Sequence, residues 1–167
     1  QAALVFKLAS DMVRLSPELS KVVRIIPSGK RLIGLPLNTE FRALAADGKT
    51  AHGLSPVLAI LDEVGQVRGP QSDFIDAITT SQGAHAEPLL IAISTQAASD
   101  ADLLSIWIDD AKASNDPRIV CHLYAAPEGC ELMDESAWKA ANPALGVFRS
   151  LDDLREQLTQ AQRMPSM

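Results

Sequence analysis

The apolar side chains of the first fifteen residues recur every three or four positions, which is the spacing of one face of an α-helix. The apolar positions are Val5, Leu8, Met12 and Leu15. Charged side chains lie on the opposite face, so the pattern predicts an amphipathic helix over residues 2–15. Ser16-Pro17 is predicted to end this helix, because a residue that precedes proline avoids the α region.

Three β-rich runs follow the predicted helix. Val22–Ile26 and Arg31–Leu35 are separated by Pro27-Ser28-Gly29-Lys30, which is typical of a hairpin turn. A third run, Phe41–Ala46, leads into a polar loop that extends to Gly53.

Two short runs contain apolar residues without interruption. Val57–Leu61 is followed by the adjacent acids Asp62 and Glu63, and Leu89–Ile93 is followed by Ser94-Thr95-Gln96. Runs of this length are too short for a membrane span and lack a helical period, so they predict strands buried on both faces of a parallel sheet. Residues 119–125 form a further strand candidate.

The remaining segments carry helix signals. Helices are predicted from the cap Ser72 to about Gln82, and from a capping box of Ser99 and Asp102 to about residue 113. Two more follow, from Asp134 to Asn142-Pro143 and from Ser150 onward. Strands that alternate with helices predict an α/β fold with a mainly parallel sheet and a helical C-terminal segment.

Composition limits the class of protein. The chain has 167 residues, of which 47% are apolar and 22% charged, as in an ordinary globular domain. Its net charge of −6 argues against a domain that grips DNA unaided, since such domains are usually basic. Two cysteines without a CxxC spacing favour a reducing cytoplasm, and no apolar run approaches the ~20 residues of a membrane-spanning helix.

Candidate chemistry lies where the two apolar strands end. In a parallel sheet Asp62-Glu63 and Ser94-Thr95 would emerge at the same edge, where open α/β sheets bind ligands. An apolar strand that ends in two acids is the pattern of a Walker B strand in P-loop ATPases. In such a strand the first acid holds Mg²⁺ and the second polarises the attacking water. The alternative is a core strand that runs into a polar loop, with both hydroxyls bonded to local backbone.

The order of these segments resembles the large terminase subunit of tailed bacteriophages. The segments that carry the resemblance are 41–47 (FRALAAD), 49–53 (KTAHG), 61–63 (LDE), 88–90 (PLL), 93–95 (IST), Trp138 and 141–146 (ANPALG). The resemblance implies an incomplete P-loop NTPase fold of the ASCE type and a motor that packages DNA into procapsids. It also implies a partial ATPase domain over residues 1–133 and a helical segment that leads out of it over residues 134–167.

The same resemblance implies roles for single residues. Asp62 would be the acid on the Mg²⁺ side, Glu63 the catalytic carboxylate and Ser94-Thr95-Gln96 the coupling motif. Arg42 and Lys49 precede the Walker B strand, where ring motors of this family offer a basic residue to the nucleotide of a neighbouring subunit. The alternative for each of these two cations is an ordinary solvated side chain.

One motif of that family does not occur in the sequence. The chain contains no G-x-x-x-x-G-K-[ST], the phosphate loop that in the family precedes the opening helix. The nuclease domain, which would follow the last helix, is also missing from the sequence. We therefore expect a fragment that alone neither hydrolyses ATP well nor cuts DNA, and that binds no cofactor tightly.

The intact phage or prophage protein would use ATP and Mg²⁺ in the cytoplasm of a bacterial host. Its expected partners are double-stranded DNA, the portal, the small terminase subunit and further copies in a homo-oligomeric ring, with no membrane. Two alternatives stay open, a helicase-like ASCE translocase that shares the acidic strand and a non-catalytic assembly module. Replacing Glu63 by Gln in a full-length protein separates a motor from an assembly module.

Overall fold

The computed structural model describes residues 2–45 and 53–164, and the chain forms two compact units, residues 1–109 and 110–167. The polar loop predicted after Phe41–Ala46, including Lys49, lies outside the described residues apart from Gly53. The boundary between residues 133 and 134 that the resemblance implies stays a prediction.

The first unit begins with two helices. Helix α1 spans Ala2–Leu15, as predicted, and helix α2 spans Pro17–Val22. Ser16 caps α2, because its hydroxyl accepts a hydrogen bond from the amide of Leu19 at 3.2 Å. Pro17 occupies the first turn of α2, where its missing N–H costs no hydrogen bond.

The buried face of α1 is not the one that the apolar spacing predicted. Ser10 and Val13 are buried, and Phe6 and Ala9 are partly buried on the same side. The predicted stripe is exposed, with Met12 at 68%. The predicted apolar stripe therefore faces outward, and the buried side of α1 is a different one.

Three short strands form an antiparallel sheet in the order β1-β2-β3. They span Val23–Ile26 (β1), Arg31–Gly34 (β2) and Thr39–Arg42 (β3). The predicted hairpin is confirmed, and Lys30 turns it with a left-handed backbone, φ 49°. The third strand ends at Arg42, four residues before the predicted end of that run.

The two uninterrupted apolar runs pair with each other in parallel. Strand β4 spans Leu58–Asp62 and strand β5 spans Leu89–Ile93, with Leu58 opposite Leu89 and Asp62 opposite Ile93. Parallel pairing is thus confirmed for these two strands. The described sheets are mixed rather than mainly parallel, because strands joined by turns as short as those of β1–β3 can pair only in antiparallel fashion.

The parallel pair is covered on one face by helices α3, Asp73–Gln82, and α4, Leu103–Ala113. The core on that face contains the buried residues Ala59, Leu61, Val64, Ile75, Ile78 and Leu103, with Phe74, Leu90 and Trp107 packed against them. Burial on both faces was predicted and is wrong for the described residues. Leu58 and Ile60 point away from the core and are 48% and 55% exposed.

The second unit carries the helical C-terminal segment that the sequence predicted. Helix α5 spans Glu135–Ala141 and helix α6 spans Leu151–Arg163. Their predicted caps are present, since Asp134 accepts hydrogen bonds from two amides of α5 and Ser150 from two amides of α6. The strand predicted over residues 119–125 is absent, and Cys121 within that segment is exposed. In the described part of the chain, no helix has the length and apolar character required to cross a membrane.

Candidate functional site

The acids and hydroxyls singled out in the sequence meet at one edge of the parallel pair. Asp62 lies opposite Ile93 in the register, and the amide of Glu63 donates to the carbonyl of Ile93 at 2.8 Å. Both strands therefore end at the same level, and the chain that leaves β4 lies beside the chain that leaves β5. The structure brings Asp62-Glu63 and Ser94-Thr95 together as the parallel arrangement predicted.

Glu63 occupies a backbone conformation that is uncommon for its residue type. Its φ of 62° and ψ of 42° lie in the left-handed region, which costs a residue with a Cβ about 1–2 kcal/mol. The 3₁₀ turn Val64–Gln66 follows immediately. The hydroxyl of Thr95 donates to Oε2 of Glu63 at 3.3 Å, so the strained residue is held from the neighbouring strand end.

A second contact joins the two strand ends through backbone. The amide of Gly65 donates to Oγ of Ser94 at 2.8 Å. A Cβ on Gly65 would lie 2.5 Å from the carbonyl oxygen of Thr95, which is closer than real side chains approach backbone. Val64 anchors the same turn in the core, where it is 2% exposed. The turn after Glu63 and the segment after β5 are therefore packed directly against each other.

The loop that continues from this turn is fixed at a further point. The amide of Gly69 donates to Oδ1 of Asp102 at 2.8 Å, and the carbonyl of Gly69 accepts from the amide of Leu103 at 2.9 Å. Nη1 of Arg68 lies 3.5 Å from Oδ2 of Asp102. The loop is thus tied to the start of α4.

Asp62 presents the exposed carboxylate of the site. It is the last residue of β4, and among the described residues its carboxylate makes no hydrogen bond. A carboxylate in this state is available to a cation or to ordered water. Gln96 is exposed at the end of the segment that packs on Gly65.

Of the two cations proposed from the sequence, Arg42 lies in the antiparallel sheet, and Lys49 lies outside the described residues. Arg42 ends β3 of the antiparallel sheet, where Nε donates to Oε1 of Glu40 at 2.7 Å and Nη2 lies 2.6 Å from the same oxygen in an ion pair. Glu40 also faces Arg31 at 3.4 Å. Arg42 is therefore already paired within its own sheet.

Sequence reasoning missed two residues that shape the site. Asp102 was expected only to complete a capping box with Ser99, yet its carboxylate binds the amide of Gly69 and is buried. Gly65 carries no role in the sequence analysis, whereas the close approach of the Thr95 carbonyl requires a glycine there. A glycine three residues after the strand-terminal acid Asp62 was the one signal in the sequence that pointed to this contact.

Comparison with known proteins gives consistent matches. The family model described as "Terminase large subunit, ATPase domain" matches residues 1–111. The terminase large subunit of Enterobacteria phage HK97 is 67% identical over 166 residues, which cover 99% of this chain and 33% of that protein. The crystal structure of the HK97 bacteriophage large terminase matches with a TM-score of 0.93, over 99% of this chain and 35% of that one. The chain thus spans about a third of the length of these relatives.

Proposed function

This chain belongs to the terminase large-subunit family, and from that membership we propose that it supplies the acidic side of an ATPase site that drives DNA packaging. The observation that carries the proposal is the cluster at the ends of β4 and β5. There Asp62 is exposed, Glu63 is held by Thr95, and the segment after β5 packs on the turn after Glu63. In the longer protein, ATP hydrolysis at this cluster would be coupled to movement of DNA into a procapsid.

We further propose that the chain forms part of a P-loop NTPase fold of the ASCE type. Support comes from two neighbouring parallel strands that carry their polar residues at the carboxyl ends, where open α/β sheets place ligands. The helices on one face of this pair fit the same architecture.

In this proposal Glu63 is the catalytic carboxylate. Phosphoryl transfer depends mostly on positioning and electrostatics, so a carboxylate fixed by its backbone and by a neighbouring hydroxyl suits the task of orienting water. The left-handed backbone of Glu63 turns the chain sharply at the point where the carboxylate is needed. Strained residues of this kind cluster at functional sites.

Ser94, Thr95 and Gln96 would form the coupling motif. Ser94 and Thr95 bond the turn after Glu63 and the Glu63 carboxylate itself. A displacement of this segment would therefore reach the catalytic carboxylate directly. Through the hydrogen bond of Thr95, a change in the position of Glu63 on ATP hydrolysis would displace the segment that follows β5.

ATP and Mg²⁺ are the cofactors that we propose for the intact protein. The donor set fits the metal, since Mg²⁺ in nucleotide sites is held by one or two carboxylates together with water and phosphate oxygens. Asp62 would hold it, and the ion would neutralise charge on the phosphates. The 167 residues contain no G-x-x-x-x-G-K-[ST], so the main cradle for the phosphates is not in this sequence, and we expect weak binding of Mg-ATP by the chain alone.

Arg42 and Lys49 remain candidates for a cation offered to a neighbouring subunit in a ring. For Arg42 this role requires an exchange of partners, because its guanidinium is bound to Glu40. A phosphate would have to compete with a carboxylate that is already at hydrogen-bond distance. Lys49 lies outside the described residues.

The proposed setting is the cytoplasm of a bacterial host, where the longer protein would meet double-stranded DNA, the portal and the small terminase subunit. The net charge of −6 argues against tight binding of DNA by this chain alone. We therefore expect DNA affinity to come from the parts of the longer protein outside this chain.

The test uses a chimera in which this chain replaces the matching third of the HK97 terminase large subunit. Glu63→Gln in the chimera is expected to keep nucleotide binding and to lose ATP turnover by about a hundredfold or more. Glu87→Gln, at an exposed acid before β5, is the matched control and should leave turnover unchanged. Equal turnover in both variants would refute the proposal, as expected of an assembly module.

A further inference from the structure

The loop that follows the catalytic acid is tied at two points to a single stretch of chain. Near its start, the amide of Gly65 is bound by Ser94, and at its end the amide of Gly69 is bound by Asp102. Both acceptors lie on the segment that leads from β5 to α4. The position of residues 64–69 is therefore set by this one segment.

Asp102 is an unusual residue for such a tether, because it is both charged and buried. Its side chain is 7% exposed, and Oδ2 accepts no hydrogen bond. The guanidinium of Arg68 stands 3.5 Å from Oδ2, and the Arg68 side chain is 68% exposed. A buried carboxylate with one oxygen left without a hydrogen bond costs free energy, so its presence at this point of the fold calls for an explanation.

A helix cap alone does not account for this arrangement. In a capping box the acid returns to the amide of the capping residue, whereas Oδ1 of Asp102 bonds the amide of Gly69 in a different loop. The return bond from the Leu103 amide to the Gly69 carbonyl closes a two-bond link between α4 and the loop. Gly69 has φ 79°, a conformation that only glycine adopts readily, so the loop is shaped to meet this link.

We propose that Asp102 is a positioning residue for the ATPase reaction, which holds the loop after Glu63 so that the strained Glu63 backbone keeps its orientation. Asp102 does not reach the nucleotide in this proposal and acts through Gly69 and the turn at Gly65. Arg68 compensates the buried charge from the solvent side. The inference rests on the proposed ATPase function for its effect on turnover, while the tether itself is a property of this chain.

The structural arm of the test measures amide hydrogen exchange in the full chain by NMR. In Asp102→Ala, protection at Gly69 is expected to fall about tenfold or more, since a hydrogen bond to a charged group is lost. Protection at Gly65 should fall as well, which a local helix cap would not cause. Asp100→Ala, at an exposed acid two residues earlier, should leave both amides as in the unaltered chain.

The functional arm measures ATP turnover in the HK97 chimera. Asp102→Ala is expected to lower kcat about tenfold to a hundredfold with little change in KM, because a misplaced catalytic group slows chemistry without removing a substrate contact. Asp102→Asn keeps the acceptor and the shape, so both amides should stay protected and kcat should stay within about threefold.

Loss of Gly65 protection or of turnover in Asp102→Asn would overturn the proposal even if the alanine variant does not fold. Exchange that changes only at Gly69 in Asp102→Ala, or turnover equal to that of the Asp100→Ala control, would overturn it as well. Failure of the ATPase proposal is distinguishable from failure of this one. If the ATPase proposal is wrong, Glu63→Gln retains turnover, and hydrogen exchange at Gly65 still shows whether Asp102 holds the loop.

Discussion

The hydroxyl of Thr95 donates a hydrogen bond to the carboxylate of Glu63 at 3.3 Å, across 32 residues of sequence. The contact exists because β4 and β5 are parallel neighbours that end in register. Parallel strands need a crossover connection, here helix α3, so these residues become neighbours only in the folded chain. The bond connects the acid that we propose as the catalytic carboxylate with the segment that leads from β5 to α4.

Thr95→Val tests this bond, because valine keeps the shape of threonine and removes the hydroxyl. The bond is exposed, so we expect the free energy of unfolding to change by less than about 0.5 kcal/mol. ATP turnover of the HK97 chimera should nevertheless fall by about tenfold, since the Glu63 carboxylate loses a positioning partner. Thr80→Val on the exposed side of α3 is the control. A Thr95→Val chimera as fast as this control would contradict the expectation.

Ser94→Ala should lower the free energy of unfolding more than Thr95→Val does. It leaves the amide of Gly65 without its acceptor, and Gly65 is buried. An unsatisfied buried donor costs about 1–3 kcal/mol, so urea unfolding should shift to clearly lower concentration. Trp107 packs against the core that contains Val64, so its fluorescence in a Trp138→Phe background reports this transition. A midpoint equal to that of Thr95→Val would show that the amide finds another partner.

Gly65→Ala adds a methyl group where there is no room. The new Cβ would lie 2.5 Å from the carbonyl oxygen of Thr95 and 3.1 Å from that of Gln96, so backbone must shift. We expect a loss of about 1–3 kcal/mol in the free energy of unfolding, measured by the same fluorescence. Gly83→Ala, where the nearest atom would be 3.2 Å away at a helix end, should cost less. The reverse order would mean that the strand-end turns are not packed as described.

The sequence predicted the parts of this site that depend on local pattern. Uninterrupted apolar runs identified β4 and β5, and their polar ends identified Asp62, Glu63, Ser94 and Thr95 as neighbours. Caps at Ser72, Asp134 and Ser150 were readable for the same reason, because each cap bonds amides only a few residues away.

The features that depend on distant partners were not readable. Asp102 follows Ser99 at the spacing of a capping box, and only the fold shows that its carboxylate binds Gly69. The apolar spacing predicted the helix α1 correctly but predicted the wrong buried face, because spacing does not show which elements pack against a face. Residues 119–125 have strand propensity and form no strand, which shows how easily tertiary context overrides propensity.

The ion pair of Asp116 and Arg118 in the second unit gives a prediction for pH. Hydrogen bonds from the Arg118 guanidinium, at 3.0 and 2.6 Å, together with the Arg118 amide, lower the pKa of Asp116 to about 2 from its ordinary 3.8. Because the folded pKa lies below the unfolded one, the pair stabilises the fold above pH 4 and loses this effect as the pH falls towards 2.

Carboxyl ¹³C chemical shifts followed through an acid titration should show the low pKa of Asp116, and Arg118→Gln should raise it towards 3.8. The pKa of Asp134 is lowered by the Ser136 hydroxyl and by amides of α5, so it should not respond to that substitution. An unchanged Asp116 in Arg118→Gln would assign the low pKa to a different cause.

Adjacent residues of β4 should respond to substitution in opposite ways, because Leu61 faces the core and Ile60 faces outward. Leu61→Ala is expected to cost about 2–5 kcal/mol of unfolding free energy through the cavity that it leaves. Ile60→Thr should cost much less unfolding free energy. It should also reduce the binding of the dye ANS and the self-association of the chain, because parallel sheets are normally covered on both faces and exposed apolar patches associate. Urea unfolding measures the stability of each variant, and sedimentation measures its self-association. A large loss of stability in Ile60→Thr would show that the outward face is covered in solution.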